Sequence, residues 1–183
     1  VALALDGEII SADSMQIYRG MDIGTAKVPY DERSVTYHCI DMLDPGEPYS
    51  AALFQRDARS AIDMIRSRGH LPIICGGTGF YVRAALDDMD FAPGDESSPV
   101  RQKYAALATE LGDEKIHELL AQKDPASAAL IHPHNVRRVI RALEMHEEGE
   151  SYAARKQAFA TLPARIPSIK LALDLDRALL DRK

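Results

Sequence analysis

Apolar residues recur at helical spacing in several stretches of this chain and bunch into short uninterrupted runs in others. That contrast sets the first expectations. Glu8-Ile9-Ile10-Ser11-Ala12 predicts a short buried strand ending at Asp13. Residues 20–49 have weak periodicity and carry Gly20, Gly24, Pro29, Asp44-Pro45-Gly46 and Pro48, so they read mostly as loop. Ser50 is placed to cap a helix, and Phe54, Ala58, Ala61, Ile62 and Ile65 then line one face until Gly69, a residue suited to a helix end. Leu71-Pro72-Ile73-Ile74-Cys75 predicts a second buried strand, of the parallel kind. It leads into Gly76-Gly77-Thr78-Gly79 and a helical stretch from Phe80 to Leu86. Strand, loop, helix, strand, glycine turn and helix in that order predict an α/β fold with a parallel sheet.

Residues 87–99 break the pattern with Asp, Pro, Gly and Ser. Three helical stripes follow: Val100, Tyr104, Leu107 and Leu111; then Ile116, Leu119 and Leu120; then Val136, Val139, Ile140 and Leu143. They predict a helical subdomain inserted into the α/β body. Gly149 to Pro167 is polar and reads as partly mobile. Ile169, Leu171, Leu173 and Leu175 alternate as in a strand, and Arg177 to Lys183 starts another helix. The predicted organisation is an α/β core over 1–95, a helical insertion over 96–150, and a return to the core over 151–183.

Composition narrows the class. The 183 residues are 46% hydrophobic and 27% charged, the balance of a folded globular protein rather than a disordered or collagen-like one. No apolar run reaches the roughly 18 to 20 residues needed to cross a bilayer, and the N-terminus lacks the basic start of a signal peptide. Cys39 and Cys75 read as reduced cytosolic thiols. The net charge of −6 argues against a protein that coats nucleic acid nonspecifically. The charge is uneven, however: residues 101–143 are net positive, and a local basic face still grips phosphates at a defined place.

Asp13 and Thr78 each follow a predicted strand directly. Ligands of open α/β sheets bind at the carboxyl ends of strands, so both side chains are placed for one crevice. Asp13 there reads as a general base or a binder of hydroxyl or metal, and also as a simple turn residue. The glycine turn brings amides to a helix start, as a diphosphate requires, and equally reads as a tight turn. Met15, Gln16 and Tyr18 read either as groups that recognise and stack a nucleobase or as core filler. Arg137, Arg138 and Arg141 project from the face of their helix opposite Val136, Val139, Ile140 and Leu143, with no acid between Asn135 and Ala142. Such a face suits phosphodiesters, although Glu144 and Glu147 stand at pairing distance in sequence. The histidines, His38, His132 and His134 among them, have no metal-ligand spacing, so no metal is assigned to them.

Several segments together resemble one family. Residues 7–27 (GEIISADSMQIYRGMDIGTAK), His38-Cys39-Ile40-Asp41, residues 72–81 (PIICGGTGFY) and residues 131–144 (IHPHNVRRVIRALE) are similar to the tRNA dimethylallyltransferases, in the family's order. The resemblance implies a P-loop NTPase-like parallel core with a helical insertion that holds tRNA. It implies transfer of a dimethylallyl group from dimethylallyl diphosphate to N6 of the adenosine beside the anticodon, with Mg²⁺ on the diphosphate. Carried over by motif, Asp13 takes the N6 proton and Thr78 sits near the reacting end of the donor. Asp13, Ser14, Met15 and Gln16 hold the flipped adenosine, and Gly76, Gly77, Thr78 and Gly79 hold the donor. Arg101 and Arg137, Arg138, Val139, Ile140 and Arg141 contact the tRNA. The resemblance also implies a cytoplasmic monomer with no membrane association.

One departure stands out. The family carries GxxxxGK[ST] upstream of this region, and none of the eleven glycines here is followed by lysine. The expectation is therefore a fragment that begins inside the helix after that loop and stops early in a later helix. The competing readings are an adenylate isopentenyltransferase acting on a free nucleotide, a P-loop kinase, and an inactive tRNA-binding module.

Overall fold

In the computed structural model, which describes residues 1–91 and 98–174, the first apolar run becomes the central strand of a small sheet. This strand, β1 (Gly7–Ser11), pairs in parallel with β2 (Tyr37–His38) on one side and β3 (Leu71–Cys75) on the other. The strand order is β2-β1-β3, and Gly7 stands opposite Leu71 and Ser11 opposite Cys75. Equal lengths in register bring the carboxyl ends of β1 and β3 level, which is what places their following turns side by side.

Between β2 and β3 runs α1 (Ala51–Ser67). The Ser50 hydroxyl accepts the Leu53 amide and starts it. Gly69, at φ 84°, ends it: the His70 amide reaches back to the Ile65 carbonyl and the Gly69 amide to Arg66. That pair of bonds needs a left-handed residue, which glycine supplies without strain. The face predicted from spacing is the one buried: Phe54, Ala58, Ala61, Ile62 and Ile65. They pack with Ile10, Ala12, Ile17 and Tyr81 in one core, where the Phe54 and Tyr81 rings stack at 4.3 Å. Tyr81 belongs to α2 (Gly79–Leu86), the helix after the glycine turn. On the sheet, the buried Glu8 carboxylate accepts from Arg68 Nε and Nη2 and lies 2.7 Å from His38 Nε2, tying β2 and the end of α1 to β1.

The described chain divides into two compact units, Val1–Asp88 with Pro163–Lys183, and Met89–Leu162. The second unit is helical: α3 (Pro99–Leu111), α4 (Asp113–Lys123), α5 (Pro125–Ala128), α6 (Val136–Glu147) and α7 (Tyr152–Ala160). Each of α3, α5, α6 and α7 opens on a polar cap: Ser98, Asp124, Asn135 and Ser151. Tyr104, Ile116, Leu120, Val139 and Leu143 form its core.

Two expectations are corrected. The return to the α/β core does not begin at residue 151, because Ser151 caps α7 and the Ala153 amide bonds the Ser127 hydroxyl, so residues 151–162 belong to the helical unit. The alternation of Ile169, Leu171 and Leu173 makes no strand, since these side chains are 90% exposed or more and pair with no ladder among the described residues. Alternation defines two faces; a strand also requires a neighbour. Leu175, the helix start at 177–183 and residues 92–97 of the break at 87–99 lie outside the described residues.

Candidate functional site

The chain after β1 turns sharply at Asp13. One carboxylate oxygen, Oδ1, accepts the amides of Met15 at 2.8 Å and Gln16 at 3.3 Å, so the side chain builds its own turn. Oδ2 has no partner among the described residues. The turn reading and the chemical reading therefore coexist, each using a different oxygen.

Thr78 sits at the matching place after β3. Its amide donates to the Ala12 carbonyl at 3.0 Å, and its hydroxyl accepts the Ser14 amide at 3.0 Å. The residue preceding α2 thus spends its hydroxyl across the gap between strands, and α2 has no side-chain cap. Gly76 explains how the strands come so close. A Cβ there would lie 2.3 Å from the Ala12 carbonyl oxygen, whereas a Cβ on Gly77 meets open space. Asp13 and Thr78 are thereby brought together through Ala12 and Ser14. The site is open: Met15, Gly76, Gly77, Gly79 and Phe80 are exposed.

The anion cradle expected at the glycine turn is partly used internally. Thr78 gives its amide to Ala12, and the Gly79 amide goes to the Gly77 carbonyl at 3.1 Å. Gln16 is also committed. Its Oε1 accepts from Ser11 and its Nε2 donates to the Thr25 carbonyl, both at 2.9 Å, so it braces the turn rather than reaching outward. Tyr18 packs on the core and donates its hydroxyl to the Glu47 carbonyl.

The loop that supplies Thr25 is held by a group that sequence reasoning missed. Lys27, nearly sealed from solvent, donates to Asp41 and the Tyr18 carbonyl at 2.7 Å and pairs with Asp22 at 2.9 Å. Arg33 closes on Asp41 from the other side at 2.6 Å. Burial lowers the lysine pKa, but Asp41 and Asp22 outweigh it and raise the balance above the ordinary value. A cavity of about 360 Å³ lies here, lined in part by Lys27, Tyr30, Arg33 and Asp41. The sequence signal was Lys27 itself, a cation in a loop with acids nearby.

In the helical unit, Arg137 and Arg138 are exposed on α6, as the face predicted. Val139 is fully buried in the core and Ile140 packs against it, so the Val139 side chain has no route to a ligand. Arg141 is not an unneutralised cation: its Nη1 donates to Glu144, and so does Nη2 of Arg101 from α3. Burial raises the Glu144 pKa, but hydrogen bonds from Arg141, Ser98 and Arg101 win and hold the carboxyl below its ordinary range. Glu144 was visible in sequence only as an i+3 neighbour of Arg141; its burial was not.

Among the described residues no group of three His, Cys, Asp or Glu gathers as a metal site. No helix among them is long and apolar enough to cross a membrane.

A parallel sheet with its polar turns at the carboxyl ends of neighbouring strands defines an α/β protein of the class that binds ligands at those ends. The family model described as IPP transferase matches residues 16–183. A tRNA dimethylallyltransferase of Geobacillus kaustophilus is 51% identical over 161 residues, covering 86% of this chain and 51% of that protein. Among solved structures, tRNA delta(2)-isopentenylpyrophosphate transferase from Staphylococcus epidermidis matches with a TM-score of 0.56 at 36% identity, over 98% of this chain and 59% of that one. A eukaryotic dimethylallyltransferase acting on tRNA matches with a TM-score of 0.69 at 29% identity, over 88% of this chain and 40% of that one. The chain belongs to the IPP transferase family, and its fold is the mixed, P-loop-like α/β class of those structures. It spans about half the length of the curated relatives it matches.

Proposed function

We propose that this chain serves the transfer of a dimethylallyl group from dimethylallyl diphosphate to N6 of the adenosine adjacent to the anticodon of tRNA. The observation that supports it most is the joining of the Asp13 and Thr78 turns at the tips of β1 and β3, in a chain whose relatives carry that activity in their names. In this reading the bond from the allylic carbon to the diphosphate oxygen breaks and a bond to N6 forms. The N6 proton passes to Oδ2 of Asp13, the oxygen its own turn leaves open, and diphosphate departs. An exocyclic amine is a poor nucleophile, so removing its proton as attack proceeds lowers the barrier by a factor of about 10² to 10⁴.

Thr78 faces the reacting end of the donor, and the amides of Gly76 and Gly77 are the ones left to face its oxygens. Met15, exposed beside Asp13, packs on the extruded base, while Gln16 keeps the turn in shape. Base extrusion costs a few kcal/mol, which phosphate contacts from the helical unit offset. Arg137 and Arg138 make those contacts, with Arg101 and Arg141 beside them. Mg²⁺ accompanies the diphosphate. The enzyme acts as a cytoplasmic monomer with the anticodon stem-loop as its macromolecular partner.

The test is incubation of the full-length protein with an anticodon stem-loop and dimethylallyl diphosphate. One prenyl unit on a single adenosine with release of diphosphate is the expected result. Prenylation of free AMP in preference to RNA would replace this reading with the nucleotide enzyme. Release of ADP from ATP would point to a kinase, and RNA binding without product to a binding module.

A further inference from the structure

Glu144 is the most buried carboxylate among the described residues, with a side chain 1% exposed, yet it sits between two arginines that still reach solvent. It accepts from three groups on two helices. Ser98 Oγ and Arg101 Nη2 approach from the start of α3 at 2.8 and 2.9 Å, and Arg141 Nη1 from one turn earlier on α6. Arg101 and Arg141 are each 23% exposed. A guanidinium has five N–H donors in a rigid fork. Arg141 uses one of its donors on Glu144, and the others have no partner among the described residues. Arg137 lies one turn before Arg141 on α6, the spacing at which helix side chains share a face.

We infer that Glu144 is a positioning residue, holding the Arg101 and Arg141 guanidinium groups as one oriented fork for an RNA phosphodiester. This rests on the tRNA reading above. A free arginine carries much side-chain rotamer entropy, which binding in one orientation must remove. A buried anion that fixes two of them moves that cost from binding to folding. Glu144 therefore strengthens RNA binding although its own charge repels phosphate.

The test uses the full-length protein and an anticodon stem-loop. Glu144→Gln preserves shape and makes the face more positive. The expected result is a Kd about tenfold weaker, with KM for RNA raised by a similar factor and kcat moved less than about twofold. In an Arg101→Ala, Arg141→Ala background the same substitution adds nothing further, because there is no fork left to hold. Ser98→Ala removes one bond to Glu144, leaves both ion pairs, and serves should Glu144→Gln lose its helical circular dichroism. It weakens binding by about threefold, in line with one lost hydrogen bond. Unchanged or tighter RNA binding by Glu144→Gln, while Arg101→Ala and Arg141→Ala each weaken it, would overturn the inference and leave the tRNA reading standing. RNA binding indifferent to Arg101→Ala, Arg138→Ala and Arg141→Ala alike would overturn both.

Discussion

Replacing Gly76 by alanine sets a methyl carbon 2.3 Å from the Ala12 carbonyl oxygen, 2.4 Å from its carbon and 2.9 Å from its Cα. All three are backbone atoms of the neighbouring strand end, so no side chain turns aside to make room. Ordinary contact begins near 3.4 Å, and the two chains must separate by about 1 Å. That movement strains the packing by about 1 to 3 kcal/mol. It also loosens two hydrogen bonds, Thr78 N–H to Ala12 O at 3.0 Å and Ala12 N–H to Cys75 O at 2.8 Å, worth about 1 kcal/mol each. The total is about 3 to 5 kcal/mol, which lowers the melting temperature by roughly 6 to 20 °C for a chain of this size. Separating Asp13 from Thr78 by that distance costs a further factor of about 10² in the rate of transfer. Gly77→Ala is the control, since its Cβ meets nothing within 4 Å. Thermal unfolding and single-turnover prenyl transfer on the full-length protein give the two readouts. A Gly76→Ala protein that melts and turns over like the parent, or a Gly77→Ala protein equally destabilised, would refute the reasoning.

Lys27→Met takes one of the two cations from Asp41 and the donor from the Tyr18 carbonyl, while the exposed Asp22 carboxylate is left to water, at a cost of about 1 to 3 kcal/mol. Denaturant unfolding should register it, and an unchanged midpoint would remove Lys27 as the loop's anchor. Acid sensitivity follows from Glu8, whose pKa is held below its ordinary 4.5 chiefly by the hydrogen bond from His38 and, against the cost of burial, by Arg68. A depressed carboxyl stabilises the fold at pH above about 4.5, and that contribution is lost as pH falls through the folded value. Glu8→Gln should therefore flatten the acid limb of a stability–pH curve and leave its shape near neutrality alone; an unaltered acid limb would count against the assignment. Arg138→Ala should weaken stem-loop binding and reduce the slope of log K against log salt by about 1, with donor binding unaffected. An unaltered slope would take Arg138 off the RNA face.

Periodicity located the elements whose burial is set by their own residues. The Phe54 to Ile65 stripe and the Val139 and Leu143 face each carry enough apolar surface to declare themselves; the Leu71–Cys75 run became a parallel strand as expected but not a buried one, with Leu71 and Cys75 exposed at its ends. β2 did not, because two residues have no period; Tyr37 and His38 become a strand only by pairing with Ile9 and Ile10. α7 carries a serine cap but shows little apolar bias, and its anchorage to Ser127 is a tertiary fact. At the site, the placement of Asp13 and Thr78 was legible because both lie in the turns just past a strand, β1 ending at Ser11 and β3 at Cys75. The roles of Gln16, Lys27 and Glu144 were not, because each depends on which donors and acceptors surround a side chain after folding. Arg141 shows the limit most clearly: spacing correctly put it on α6, but could not show that Glu144 is buried beneath it with Arg101 on its other side.

The most direct test of the site is Asp13→Asn in the full-length protein. The asparagine carbonyl oxygen still accepts the Met15 and Gln16 amides, so the turn survives while the proton acceptor is lost. Single-turnover transfer to a stem-loop should fall by a factor of about 10² to 10⁴, with RNA affinity and melting temperature unchanged. Transfer persisting near the parent rate would contradict the assignment of Asp13 as the base.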